Sequence, residues 1–156
     1  MVSLVQVTEK ERELLFNLQQ KYLYEMTNYY DNPIDEKGNI TYGYFEEYFH
    51  DSKRTAYLLY ADDELCGFVM INPYSYFGDP DVNVMAEFTI FPQFRCRHIG
   101  SEAVFRIFSK HPGKWEIKFH NCNQAAASFW RKNTRPYFPE ERAFSKSETV
   151  LMFQVR

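Results

Sequence analysis

The sequence predicts a single α/β domain over residues 1–156. Three observations carry this. Val82, Val84, Ala86, Phe88 and Ile90 alternate with Asn83, Met85, Glu87, Thr89 and Phe91, the period of a strand with two distinct faces. Leu14, Leu18, Tyr22 and Met26 recur at helical spacing. Strand and helix patterns also succeed one another without repeat, linker or low-complexity stretch.

The elements follow in order. Leu4 to Val7 is a short strand, and Thr8-x-x-Glu11 is a capping box that opens a helix ending near Thr27. Asp31-Asn-Pro and Lys37-Gly-Asn mark turns. Tyr42 to His50 reads as a second, aromatic and acidic helix. Arg54–Tyr60 and Leu65–Pro73 pair as strands across a hairpin at Ala61-Asp-Asp-Glu64. The alternating strand ends at Phe91, and a helix runs from about His98 to Lys110 with Ile99, Ala103 and Ile107 inward. His111-Pro-Gly113 stops it. Lys114–His120 is a strand with Trp115, Ile117 and Phe119 on one face. Asn123–Asn133 is helical, and Thr149–Val155 is the last strand, with Ala143–Ser145 as its hairpin partner.

Composition narrows the classes. With 45% hydrophobic and 19% aromatic residues the chain carries enough apolar surface to fold. No apolar run reaches the roughly 18 residues of a membrane span, and the N-terminus lacks the pattern of a signal peptide. Cys66, Cys96 and Cys122 are odd in number and share no metal-ligand spacing, and neither do the four histidines. This predicts a cytoplasmic protein with no disulfide, no metal and Cys66 in the core. The net charge of −3 is unevenly spread: residues 28–65 hold nine acids and three bases, and residues 92–135 hold nine bases and two acids. That asymmetry suits one anionic and one cationic ligand, whereas a nucleic-acid partner more often goes with an overall basic chain.

Two local motifs are specific. Ile90-Phe-Pro-Gln-Phe-Arg95-Cys-Arg-His-Ile-Gly100 places a basic turn between a strand and a helix start, a site suited to phosphate. Asn123-Gln-Ala-Ala-Ala-Ser-Phe129-Trp130 opens the next helix. With the element order, these resemble the GNAT superfamily of N-acetyltransferases. Its acetyl-coenzyme A signature, (Arg/Gln)-x-x-Gly-x-(Gly/Ala), is met by Arg95 and Gly100, with His98 at the middle glycine. Its Asn-x-x-Ala-x-x-Phe-Tyr motif is met by Asn123, Ala126 and Phe129, with Trp130 at the tyrosine.

The resemblance implies a mixed, mostly antiparallel sheet of about six to seven strands with helices on both faces. It implies acetyl transfer from acetyl-coenzyme A to a primary amine in a ternary complex, by a monomer or homodimer without membrane or nucleic-acid partners. Arg95, Cys96, Arg97, His98, Ile99, Gly100 and Ser101 would meet the pyrophosphate, through amides from Arg97 to Ser101 and the two arginines' charges. Phe88, Thr89, Ile90, Asn123, Phe129 and Trp130 would line the pantetheine arm. Glu87 is the candidate general base, with a structural or solvated role as the alternative. Trp130 is not acidic enough to protonate a thiolate, so Tyr137 or solvent would serve. Seven of the twelve tyrosines, with Asp31, Asp35, Glu36, Glu46 and Glu47, fall in residues 22–48 and suggest a small polar or cationic acceptor. The competing reading is a non-catalytic acyl-coenzyme A binder.

Overall fold

The computed structural model describes residues 1–156. Seven strands form one sheet: β1 (Val2–Gln6), β2 (Thr55–Ala61), β3 (Glu64–Asn72), β4 (Asn83–Ile90), β5 (Gly113–His120), β6 (Glu140–Ala143) and β7 (Glu148–Val155). Their order is β1-β2-β3-β4-β5-β7-β6, and only the β4–β5 pair is parallel. The GNAT-like α+β sheet expected from the sequence is the sheet observed.

The helices are α1 (Arg12–Met26), α2 (Ile99–Lys110) and α3 (Gln124–Thr134). Helix α1 covers one face, where Leu15 and Leu18 pack with Phe45, Tyr48, Leu58, Phe68 and Met70. Helices α2 and α3 cover the other, where Ile99, Ala103, Ile107, Ala127 and Trp130 pack with Val69, Trp115, Ile117 and Leu151. Cys66 lies buried in this second core, while Cys96 and Cys122 are exposed thiols. No helix is long and apolar enough to cross a membrane.

Several local devices act as the sequence predicts. The capping box forms both of its hydrogen bonds, and the chain passes through a 3-10 turn at Glu9–Glu11 before α1 begins. Asp62 and Asp63 form the two-residue β2–β3 turn with φ of 48° and 71°, the positive pair of a type I′ hairpin. Asn123 caps α3.

The hairpin partner of β7 is Glu140–Ala143 rather than Ala143–Ser145, and three further elements differ from expectation. The buried stripe of α1 is Leu15, Leu18, Gln19 and Leu23, whereas Leu14 is exposed. A spacing of four drifts about 40° per step from a fixed face, so it describes the stripe only near its middle. Residues 42–50 hold a single 3-10 turn, Glu46–Phe49, rather than a helix. Phe45 and Tyr48 are both buried, which suits the three-residue period of that turn.

Strand β4 departs from strict alternation at the site itself. Met70 pairs with Glu87, but Ile71 pairs with Met85, so Ala86 is an extra residue in β4. This bulge breaks the alternation. Met85 joins Ile90 in the core under α2 and α3, and Phe88 packs against it. Glu87 lies opposite Met70, which belongs to the α1-side core.

Candidate active site

Strands β4 and β5 pair only through Asn83–Trp115, Val84–Glu116 and Met85–Ile117. Beyond these, no β5 residue pairs with Glu87, Phe88, Thr89 or Ile90. The bulge at Ala86 sits where the two strands part. Both strands end at this opening, so the N-termini of α2 and α3 flank it.

The segment from β4 to α2 is built around unusual backbone. After a 3-10 turn at Pro92–Phe94, Cys96 and His98 both adopt φ of 61°. His98 therefore keeps the left-handed conformation a glycine would take, and histidine is among the residues that reach it most readily. Left-handed residues in such a run curl successive N–H groups around one concavity. Backbone amides from Cys96 to Ser101 find no acceptor in the protein. Six adjacent donors at a helix N-terminus are matched to an anion of several oxygens.

The two arginines divide the work differently from expectation. The Nε of Arg95 donates to the Ile90 carbonyl at 2.6 Å, and its two terminal nitrogens donate to the Glu25 carboxylate at 2.9 Å each. Thr89 Oγ1 lies 3.5 Å from the same guanidinium. Arg95 thus ties the loop to α1 and to the end of β4. Arg97 is exposed, 5.7 Å from the Phe94 ring, and has no carboxylate partner.

On the α3 side, Phe129 stacks on Phe88 with centroids 5.7 Å apart, and Trp130 meets both rings edge-on. A Cβ added at Gly100 would come within 2.9 Å of Phe129 Cε2, so glycine here lets α2 approach α3. Ile99 and Trp130 belong to the core, while Phe129 packs on its edge. Asn123 Oδ1 accepts the Ala126 amide, which leaves its Nδ2 without a partner. A cleft of about 390 Å³ runs between α2 and α3, lined among others by His98, Ser101, Phe105, Lys132 and Asn133.

Glu87 occupies the α1 side of the opening and is half-buried. Burial pushes its carboxyl up to about 7, against the hydroxyls of Tyr22 and Tyr42 and the charge of Lys118, which favour the carboxylate. Lys118 in turn lies 3.1 Å from Glu148, with the Tyr76 and Phe144 rings 4.8 and 4.9 Å from its Nζ. Tyr30 donates to Glu148 at 2.9 Å, and His120 packs between Tyr29 and Tyr30. Glu116 accepts from Ser75 Oγ and the Tyr76 amide.

The acids of residues 28–48 do not gather here. Asp31, Glu36 and Glu47 are exposed, Asp35 caps its own turn, and Glu46 pairs with Arg12. The carboxylates on this side come from the sheet instead: Glu87, Glu116 and Glu148. Of the early tyrosines, Tyr22 and Tyr42 face Glu87, Tyr30 and Tyr48 lie further off within range of its charge, and Tyr24 and Tyr44 are exposed. Tyr137 packs on Phe108 and Phe153, beside the start of β5, and does not join Glu87. Lys118 and His120 were legible, since they alternate with Ile117 and Phe119. Glu148 gave no such signal. No three His, Cys, Asp or Glu side chains gather as a metal site.

The sequence matches the Acetyltransferase (GNAT) family over residues 14–134. Among solved structures, an acetyltransferase from Thermus thermophilus superposes with a TM-score of 0.70 at 15% identity, over 99% of this chain and 97% of that one. The N-acetyltransferase PseH of Campylobacter jejuni, in complex with acetyl coenzyme A, gives 0.62 at 12% identity over 99% of both chains. A spermidine N-acetyltransferase SpeG chimera from Vibrio cholerae and hSSAT gives 0.63 at 16% identity, over 99% of this chain and 94% of that one. No curated protein sequence gives a significant match.

Proposed function

Because this chain belongs to the acetyltransferase (GNAT) family, we propose that it transfers the acetyl group of acetyl-coenzyme A to a small amine by direct attack in a ternary complex. The observation that carries this is the pairing of two features at one strand opening: unpaired amides from Cys96 to Ser101 on one side, and a carboxyl near neutrality, Glu87, on the other. The donor set fits coenzyme A. The six amides and Arg97 suit the pyrophosphate, with Ser101 and Lys132 beside them in the α2–α3 cleft. The β4 edge at Phe88, Thr89 and Ile90, which β5 leaves open apart from the Ile90 carbonyl that Arg95 holds, and the Asn123 Nδ2 suit the amide-bearing arm, with Phe129 and Trp130 as its wall.

The chemistry then falls to this chain's residues. An ammonium has no lone pair, so the amine must lose a proton before it attacks. Glu87 takes that proton, directly or through one water, and a carboxyl with a pKa of about 7 is suited to the task. A β4 backbone N–H stabilises the negative charge that develops on the carbonyl oxygen. As the C–N bond forms, the C–S bond breaks. A thiol of pKa about 8.5 can leave as thiolate and collect its proton from solvent, so no acid is required at Trp130. The tyrosine rings around Glu87 suit the cationic amine of the acceptor.

The buried Trp130 motivates a second reading, a binder of acyl-coenzyme A that does not turn over. Thermal-shift and thiol-release assays separate the two. Stabilisation by acetyl-coenzyme A together with amine-dependent thiol release establishes the transferase. Stabilisation without release for any amine establishes the binder, and neither effect rejects both.

A further inference from the structure

Three buried side-chain atoms in the protein find no hydrogen-bond partner: Gln19 Oε1, Tyr48 Oη and Arg54 Nε. The last two lie in one cluster on the α1 side of the sheet. The Arg54 side chain is only 10% exposed. Its guanidinium is walled by the rings of Tyr74, Tyr44 and Tyr48, at 4.6, 4.9 and 5.5 Å. Asp51 Oδ2 lies 3.3 Å from Nε, but Asp51 also accepts the Tyr74 hydroxyl and the Lys53 amide. The terminal nitrogens of Arg54 hydrogen-bond to nothing in the protein. Tyr48 Oη stands near both Arg54 and Asn72 but reaches hydrogen-bond geometry with neither. Asn72 Oδ1 accepts the Tyr74 amide, and its Nδ2 has no acceptor.

A guanidinium fork, a phenol and an amide thus gather with donors to spare. Withdrawing a guanidinium from water costs free energy unless an acceptor replaces the lost hydration. The fork geometry matches a carboxylate or phosphate group. Nothing in the acetyl-donor side of the opening calls for this cluster, because it lies across β3 from β4. Arg54 immediately precedes β2, whose Thr55 pairs with Ile71, and Met70 pairs with Glu87. Two strand spacings and two residues along the sheet put the Arg54 and Glu87 Cα atoms about 12 Å apart. Tyr42 and Tyr48 stand between, close enough to feel both charges.

We propose that Arg54, Tyr48 and Asn72 bind an anionic group, carboxylate or phosphate, carried by the amine acceptor. This rests on the reading of the Glu87 side as the acceptor site. Arg54 and Glu87 share the α1 face of the sheet, where side chains stand roughly perpendicular to it, so most of the separation of their Cα atoms is kept between their charged ends and places amine and anion several bonds apart. An ω-amino acid or an aminoalkyl phosphate meets that requirement, and an α-amino group beside its own carboxylate does not.

Calorimetric titration of the full chain, saturated with coenzyme A, tests the inference with three probes: 5-aminovalerate, 3-aminopropyl phosphate and pentylamine. At least one anionic probe is expected to bind tenfold or more tightly than pentylamine, and the tighter of the two identifies the anion. Arg54→Gln should abolish that preference and leave pentylamine binding unchanged. Arg54→Lys, which keeps the charge but loses the fork, should lose most of it, and Tyr48→Phe should cost a few-fold; these two carry the test if Arg54→Gln does not fold. Anionic probes that bind no better than pentylamine, or an Arg54→Gln loss shared equally by all three, would overturn the proposal. Thiol release across a wider panel of amines is scored separately: its absence for every amine rejects the transferase, while the titrations still decide the anion site.

Discussion

Arg95 and Glu25 are joined by two parallel hydrogen bonds of 2.9 Å each. Glu25 belongs to α1, and Arg95 stands at the head of the loop between β4 and α2. The pair therefore fixes the position of six open amides by anchoring the loop to the opposite face of the sheet. Glu25→Ala and Arg95→Ala are both expected to weaken acetyl-coenzyme A binding several-fold, and the double variant should lose little more than either. A double-mutant cycle read by titration checks this. If Arg95 instead gripped phosphate, Glu25→Ala would leave affinity unchanged or raise it, and only Arg95→Ala would weaken binding.

Glu87 gives two independent signatures. As a base it must be ionised, so kcat/KM should rise with pH through an apparent pKa of about 7. Glu87→Gln should lower kcat by roughly 10²–10⁴-fold, the usual contribution of a positioned base. The stability effect has a definite sign. The folded-state pKa lies above the ordinary carboxyl value, so the fold favours the protonated form. Its stabilising contribution is full below about pH 4.5 and is lost as pH rises through about 7. Glu87→Gln should therefore raise Tm relative to the parent at pH 8 and change it little at pH 5. A pH-independent Tm difference would show that Glu87 titrates normally.

His98 holds a left-handed φ of 61° at the position where the resemblance sets a glycine. A non-glycine residue in that region costs of order 1 kcal/mol. His98→Gly should stabilise the protein by up to about 1 kcal/mol and leave acetyl-coenzyme A affinity within twofold, since the amide positions are kept. His98→Val, β-branched and poorly suited to positive φ, should cost stability and affinity together. Chemical denaturation and titration of the two variants decide it. A loss of affinity in His98→Gly alone would mean that the imidazole itself contacts the ligand.

The two periods of the chain made most of the fold legible. Trp115, Ile117 and Phe119 took the inward face, and Asp62-Asp63 made the expected tight turn. Asn123 and Thr8 capped as their residue types require. What stayed hidden depends on contacts between distant segments. The extra residue at Ala86 follows from how β3 and β4 mate, and nothing in Val84-Met-Ala-Glu announces it. Arg95 looked like a phosphate ligand because its partner, Glu25, lies 70 residues away. The acids of residues 28–48 stand together in the sequence but not in the fold, whereas Glu87, Glu116 and Glu148 share a side only because their strands are neighbours in the sheet. Arg54 carried no motif, and only the rings closing around it set it apart.

Trp130 tests whether the leaving group needs an acid. It is 6% exposed and packs edge-on against Phe88 and Phe129, so its first role is to shape the wall of the opening. Trp130→Tyr restores the family's residue but removes ring volume from a filled core. That exchange should cost about 1–3 kcal/mol of stability. If the thiolate leaves unaided, kcat should change by less than about threefold, equivalent to under 0.7 kcal/mol in the barrier. The pH profile should also keep its single rising limb near 7, set by Glu87. A tenfold or larger gain in kcat, with a new falling limb at high pH from the phenol, would mean that thiolate protonation limits the parent enzyme. Trp130→Phe separates packing from proton transfer, because it loses similar volume without gaining an acid. Equal stability losses in the two variants, with equal kcat, would confine Trp130 to the wall.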